Sequence, residues 1–68
     1  MKRAEDDRVA GYRDGMDPDS PEPSANRSHS YRHGFECARS DNRGEPAFGS
    51  AGAAREHAAE AERKDAEA

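Results

Sequence analysis

The sequence predicts a small all-α protein, with two short helices joined by a proline-rich linker and then a solvated Ala/Glu-rich C-terminal helix or disordered tail. Three observations predict this class. Apolar residues recur at helical spacing in two segments, three prolines separate those segments, and helix-forming alanine and glutamate dominate residues 51–68. We therefore divide the chain into a helical unit, residues 1–44, and an acidic alanine-rich extension, residues 45–68.

The first helix is predicted over residues 2–15. Val9, Tyr12 and Met16 are spaced i, i+3 and i+7, so they share one helical face. We expect that face to join the core. Gly15 is expected to end the helix, because glycine readily takes the left-handed conformation that closes many helices.

The second helix is predicted over residues 27–43. Asn26 or Ser28 can cap its start, and Gly44 followed by a proline two residues later gives the expected end. The linker before it, residues 17–25, contains three prolines and is expected to be extended and fairly stiff.

The second helix presents three faces when its residues are laid out at about 100° each. These are an aromatic face with Tyr31, Phe35 and Ala38, an arginine face with Arg32, Arg39 and Arg43, and a third face with His29, His33 and Cys37. We expect the aromatic face to pack against the apolar face of the first helix and form a two-helix core.

The extension is helix-prone but poor in apolar side chains. Ser50 can cap it, yet residues 51–68 contain no apolar side chain larger than alanine. Asp65 and Glu67 near its end oppose the helix dipole. We therefore expect a solvated helix or an acidic tail that does not pack.

Charge is distributed unevenly along the chain. The formal net charge is −4, yet residues 24–44 hold four arginines against two acids. The single cysteine excludes an intramolecular disulfide. Because there is no apolar run of signal-peptide or membrane length, we expect a cytoplasmic protein.

The His/Cys face admits two chemical interpretations. His29, His33 and Cys37 could hold a metal ion, but His29 and Cys37 would lie ~12 Å apart on a straight helix, too far to share one ion. A nucleophilic cysteine would need a pocket and an orienting group that the sequence does not indicate. We expect no enzyme, metal, cofactor or small-molecule substrate, with Cys37 filling a gap in a helix interface.

The arginine face could bind phosphate, since the planar guanidinium fork suits phosphate oxygens and neighbouring aromatics can stack on unpaired bases. The alternative is a solvated helix face. Glu36 and Asp41 lie near the stripe and would partly neutralise it.

Three segments resemble the ribosome modulation factor family, short bacterial ribosome-hibernation proteins. The start "MKRAEDDR" is similar to the family's basic start, and "GYRDG" resembles its Gly-Tyr-x-x-Gly motif. The segment "NRSHSYRHGFECA" resembles its Asn-x4-aromatic-x2-Gly-aromatic-x2-Ala pattern. The resemblance covers about residues 1–44. The family is strongly basic, whereas this chain is acidic.

The resemblance implies two linked helices and binding to the small ribosomal subunit near the 3′ end of its rRNA, which obstructs messenger binding in slow growth. The motif or core residues so implied are Gly11, Tyr12, Gly15, Tyr31, Gly34 and Phe35. The candidate contacts to RNA or the ribosome are Lys2, Arg3, Arg8, Arg27, Arg32, Arg39 and Arg43. Gly34 is expected to let the two helices, or the RNA, approach closely.

Two other hypotheses stay open from the sequence. The chain could be a protein-binding adaptor that folds on a protein partner, or it could be mostly disordered alone, because it combines 31% hydrophobic with 38% charged residues.

Overall fold

The computed structural model describes residues 4–67 and contains three α-helices. They are α1 (Ala4–Gly15), α2 (His29–Arg43) and α3 (Ala51–Glu67), with a 3-10 turn at Ala47–Gly49 before α3. Within the described residues there is no strand, so the all-α prediction is confirmed. The first predicted positions of helix one, residues 2 and 3, lie outside the described residues.

Helix α2 begins and ends with caps that the sequence indicated. The side chain of Ser28 accepts a hydrogen bond from the backbone N–H of Tyr31 at 3.1 Å. At the other end Gly44 adopts the left-handed conformation, with φ 72° and ψ 26°, and its N–H donates to the carbonyl oxygen of Asp41. The helix starts at His29, two residues later than predicted, because Ser28 and not Asn26 is the cap.

Helices α1 and α2 cross through glycines instead of large side chains. A Cβ placed on Gly11 would lie 1.9 Å from the carbonyl oxygen of Tyr31, and a Cβ on Gly34 would lie 2.0 Å from that of Arg8. A Cβ placed on Gly15 would likewise lie 2.5 Å from the carbonyl oxygen of Phe35. The two backbones therefore touch, which is the close approach that a glycine-x3-glycine spacing allows.

The predicted apolar face of α1 does not enter the core, and this part of the prediction is wrong. Val9, Tyr12 and Met16 are 51%, 38% and 43% exposed. The glycine face of α1 packs on α2 instead, because close backbone packing needs the small residues at the contact. Helix α1 ends at Gly15, as predicted, but not through a left-handed glycine: within residues 4–67 the glycines with positive φ are Gly44 and Gly49.

The aromatic face of α2 forms the core, as predicted. Phe35 and Ala38 are 1% and 0% exposed, and Tyr31 is also buried. The Tyr31 hydroxyl donates to a carboxylate oxygen of Asp14 on α1. That hydrogen bond, followed by burial, raises the pKa of Tyr31 above its ordinary value.

Helix α3 packs on α2, whereas the sequence suggested a helix that does not pack. The helix itself was expected, and most of its residues are exposed. However, Ala61 is buried, and the His57 ring stacks on His33 of α2 with ring centres 5.0 Å apart. Small alanines suffice for this contact because histidine and aromatic rings supply the rest of the interface.

Candidate functional site

The predicted arginine face of α2 is turned towards the linker. Arg32 donates to the carbonyl oxygen of Ser24 at 3.0 Å, and Arg39 donates to that of Ser20. The guanidinium of Arg39 also lies 4.7 Å from the centre of the Phe35 ring. These arginines therefore hold the linker against the second helix. Contrary to the prediction, the linker is not extended throughout, because the N–H of Ser20 donates to the carbonyl oxygen of Asp17 and closes a turn.

The four arginines of residues 27–43 differ in solvent exposure and in ion pairing. Arg27 and Arg32 are exposed, and the Arg27 guanidinium lies 4.4 Å above the Tyr31 ring. Arg39 is half-buried under the linker. Arg43 forms ion pairs with Glu45 at 3.3 Å and Glu36 at 3.9 Å. Arg27 and Arg32 are thus the arginines of this set with exposed guanidiniums that carry no ion pair within residues 4–67.

The other predicted basic contacts lie on or before α1. Arg8 is half-buried against α2, where its backbone carbonyl faces Gly34. Lys2 and Arg3 lie outside the described residues. The predicted set is therefore not brought together into one patch: Arg8 faces one side of the α1–α2 crossing, and Arg32 and Arg39 face the linker.

A histidine and aromatic cluster joins α2, the 3-10 turn and α3. The Phe48 ring stacks on His57 at 4.1 Å and on His33 at 5.2 Å between ring centres. The Nδ1 atoms of His33 and His57 are 2.8 Å apart, so one of them donates a hydrogen bond to the other. Phe48 reaches this position with a left-handed backbone, φ 55° and ψ 20°.

Burial shifts the pKa values of His33 and Cys37. It lowers the pKa of His33, with further lowering from the positive charges of His57 and Arg8. Burial also raises the pKa of Cys37, whose Sγ lies 3.5 Å from Nε2 of His33. The cluster therefore favours a neutral imidazole and a protonated thiol, the less nucleophilic form of cysteine.

The same geometry bears on the metal hypothesis. The two ring nitrogens of His33 face different partners, His57 on one side and Cys37 on the other. Within residues 4–67 no group of three His, Cys, Asp or Glu side chains is arranged to hold a metal ion.

Asp65 of α3 binds the start of α2. Its two carboxylate oxygens accept hydrogen bonds from the backbone N–H groups of His29, at 2.8 Å, and Ser30, at 3.0 Å. Burial alone would raise the pKa of Asp65, but the hydrogen bonds from Ser30 and His29 outweigh it and lower that pKa. Asp65 opposes the dipole of α3, its own helix. At the start of α2 it accepts hydrogen bonds from two N–H groups that have no partner within that helix, and its negative charge is favourable to the α2 dipole.

An open apolar groove lies along the α1–α2 crossing. It has a volume of about 530 Å³. Its lining comprises Arg8, Val9, Tyr12, Arg13, Met16, Gly34 and Cys37. The exposed face of α1 that the sequence assigned to the core therefore forms one wall of a surface groove.

Sequence reasoning missed the roles of Phe48, His57 and Asp65. Phe48 is the one large apolar residue after residue 44, and that isolation was the available signal. The glycine-x3-glycine spacing of Gly11 and Gly15 was a signal for close helix packing. Nothing in the spacing of Asp65 indicates that it reaches α2.

No family model matches the chain, and the comparisons with curated proteins and with solved structures give no significant match. None of the helices within residues 4–67 is long and apolar enough to cross a membrane.

Proposed function

We propose that this chain is a non-enzymatic factor that associates with the small ribosomal subunit, contacts its rRNA and modulates translation in slow growth. The observation that carries the proposal is the interlock of Gly11, Gly15 and Gly34 at the α1–α2 crossing. These are the glycines on which the resemblance to the ribosome modulation factor family depends. The crossing gives these three positions a physical reason to be glycine in this chain, and this supports the proposal.

The proposed RNA contact centres on Arg27 and Arg32. Both are exposed, and each guanidinium carries five N–H donors, of which the contacts to Tyr31 and Ser24 use few. They can bind phosphate oxygens while keeping their place in the fold. Arg39 and Arg43 act mainly within the chain on this proposal, because the linker and two glutamates already engage them.

A non-enzymatic role is supported by the state of the nucleophile candidate. Cys37 has a raised pKa, and the nearest imidazole, His33, is itself bonded to His57. A cysteine nucleophile needs the opposite arrangement, a lowered thiol pKa beside an available base.

The test is co-sedimentation of the protein with ribosomes from a stationary-phase lysate, at low and at raised salt. We expect migration with the small subunit or with ribosome dimers, weakening as salt rises. The double variant R27A/R32A should bind more weakly and reduce the slope of log affinity against log salt by about 1.4–1.8. Protein that stays at the top of the gradient at both salts would refute the proposal.

A matched control removes the same charge elsewhere. R55A/R63A also deletes two exposed arginines, but both lie on α3. We expect its co-sedimentation to stay close to that of the wild type. Equal loss in both double variants would mean that binding follows net charge and not the proposed surface.

The second candidate, a protein-binding adaptor, is favoured by one specific observation. The apolar groove leaves Val9, Tyr12 and Met16 exposed on α1. Three neighbouring apolar side chains on the surface of so small a protein are typical of an interaction surface.

A further inference from the structure

The groove along the α1–α2 crossing combines an apolar wall with a floor of small groups. Val9, Tyr12 and Met16 line it from α1, and Gly34 and Cys37 line it from α2. Exposure of the three α1 side chains, 51%, 38% and 43%, leaves apolar area that no described residue covers. The spacing of i, i+3 and i+7 along the wall matches the ridge that a second helix packs against.

The charged side chains that line the groove are both basic. Arg8 and Arg13 belong to the lining, which includes no acidic residue. Neither arginine forms an ion pair with another residue of the described range. Two acids of α2 border the groove: Glu36 forms an ion pair with Arg43, and Asp41 accepts the hydrogen bond of the Tyr12 hydroxyl, which fixes that ring at the wall. In a chain of net charge −4 the groove is therefore a locally basic surface.

From this geometry we propose that the groove binds an amphipathic helix of a partner protein, one that carries Asp or Glu beside its apolar face. Its apolar side chains pack between α1 and α2, and its carboxylates pair with Arg8 and Arg13. The two arginines are five residues apart, about 7.5 Å along the helix axis and about 140° around it. They therefore flank the apolar face of α1 on its two sides, and carboxylates on both edges of the partner's apolar face reach them. The proposal is independent of the rRNA contact, which uses a different face.

Three other occupants fit the groove less well: a second copy of the chain, its own helix α3 and single-stranded RNA. A second copy packing through the same α1 face would bring its own Arg8 and Arg13 against these arginines, and like charges across an interface are unfavourable. The chain's own α3 is acidic, but no apolar side chain on it exceeds alanine. Single-stranded RNA would find phosphate contacts at Arg8 and Arg13, but aliphatic Val9 and Met16 offer no hydrogen bond to base edges or phosphates, so RNA fits the apolar wall less well than an amphipathic helix does.

The experiment uses two designed peptides as probes. Each is a helix of about 18 residues with leucines at i, i+3 and i+7, flanked by glutamates in one peptide and by lysines in the other. Cys37, the only cysteine of the chain, lines the groove, so its rate of alkylation by iodoacetamide reports occupancy. We expect the glutamate peptide to slow alkylation at least about fivefold and the lysine peptide to leave it unchanged.

Two variants tie the effect to the groove. V9S/M16S removes exposed apolar side chains, should keep the helical circular dichroism spectrum, and should abolish protection by the glutamate peptide. R13Q should weaken binding of that peptide about threefold to fivefold, measured by fluorescence anisotropy, because one exposed charge pair is lost. R27A/R32A should leave peptide binding unchanged, so that a failure of the ribosome proposal and a failure of this one are separable.

Three outcomes would overturn the proposal. The first is no protection of Cys37 by either peptide, or equal protection by both. The second is a dimer in sedimentation equilibrium that itself protects Cys37 and is broken by V9S/M16S, which would assign the groove to a second copy. The third is protection by a single-stranded oligoribonucleotide but not by the glutamate peptide, which would assign it to RNA.

Discussion

Gly11 and Tyr31 belong to different helices, yet the Cβ that any other residue would add to Gly11 falls 1.9 Å from the Tyr31 carbonyl oxygen. Gly34 repeats the relationship in the other direction, with its Cβ position 2.0 Å from the carbonyl oxygen of Arg8. Each glycine therefore meets the backbone of the opposite helix. A backbone cannot rotate aside as a side chain can, so the crossing tolerates no Cβ at either position.

Replacing these glycines should separate the helices. We expect G11A and G34A each to lower the free energy of unfolding by at least about 3 kcal/mol, at the upper end of overpacking effects. In a domain this small such a loss abolishes the folded state. Circular dichroism during thermal and urea unfolding measures it.

The matched control for those variants is G52A on α3. The nearest atom that its Cβ would meet is the Ser50 Oγ, at 4.0 Å. Because alanine favours helix over glycine, we expect a gain of about 0.5–1 kcal/mol. If G11A were as well tolerated as G52A, the close crossing described here would be incorrect.

Sequence signals that act locally predicted the structure correctly, and those that depend on backbone packing did not. Helix α2 was predictable because its cap Ser28, its aromatic face and Gly44 all act locally. The partner face of α1 was not, because hydrophobic spacing pointed to Val9, while the contact is made by glycines that contribute no apolar side chain. Hydrophobic periodicity finds packing by large side chains and misses packing of backbone on backbone.

The candidate site was less predictable than the fold. The arginine face of α2 was located correctly, but its engagement with the linker depends on where Ser20 and Ser24 pass, which no local pattern indicates. The docking of α3 depends on Asp65 meeting the start of α2, a contact between residues 36 positions apart. Such long-range contacts follow from the assembled fold and not from the spacing of neighbouring residues.

Asp65 should link the end of α3 to the start of α2. D65N removes the charge and leaves one acceptor for the two N–H groups of His29 and Ser30. We expect a loss of about 1–2 kcal/mol and faster hydrogen exchange at those two amides. The contribution of Asp65 is present above its ordinary pKa of 3.8 and is lost as pH falls through the lower pKa of the folded state.

E62Q is the control for that change, since Glu62 is an exposed acid on the same helix. It should alter neither the unfolding free energy nor the exchange of the first amides of α2. Exchange rates that are the same in D65N and the wild type would show that Asp65 does not bind the helix start.

Protonation of His33 should loosen the packing of α3. Burial, then His57 and Arg8, lower the pKa of His33 from its ordinary value of 6.5, so the folded chain binds fewer protons there than the unfolded chain. Its contribution to stability is therefore full above pH 6.5, decreases as pH falls below 6.5, and levels off below the folded-state pKa. Protonated His33 carries a hydrogen on both ring nitrogens, so its Nδ1 no longer accepts a hydrogen bond from His57.

The measurement is the unfolding free energy from urea titrations between about pH 8 and pH 5, a range centred on histidine titration. H33F keeps a ring beside Phe48 and has no titratable group, so its stability should vary less with pH than that of the wild type. A wild-type profile that is flat across this range would contradict the prediction.

Arg39 should matter for stability, whereas Arg32 should not. Both donate to linker carbonyl oxygens, but Arg39 is half-buried and also covers the Phe35 ring at 4.7 Å, while Arg32 is exposed. We expect R39A to cost about 1–2 kcal/mol, because a buried charged hydrogen bond and a cation–π contact are lost together. R32A should change the unfolding free energy by less than about 0.5 kcal/mol, as exposed substitutions usually do.

Urea unfolding of both variants, with limited proteolysis of the linker around Ser20, measures the difference. Linker cleavage should accelerate in R39A alone, and equal effects of the two substitutions would show that the linker is not held by Arg39.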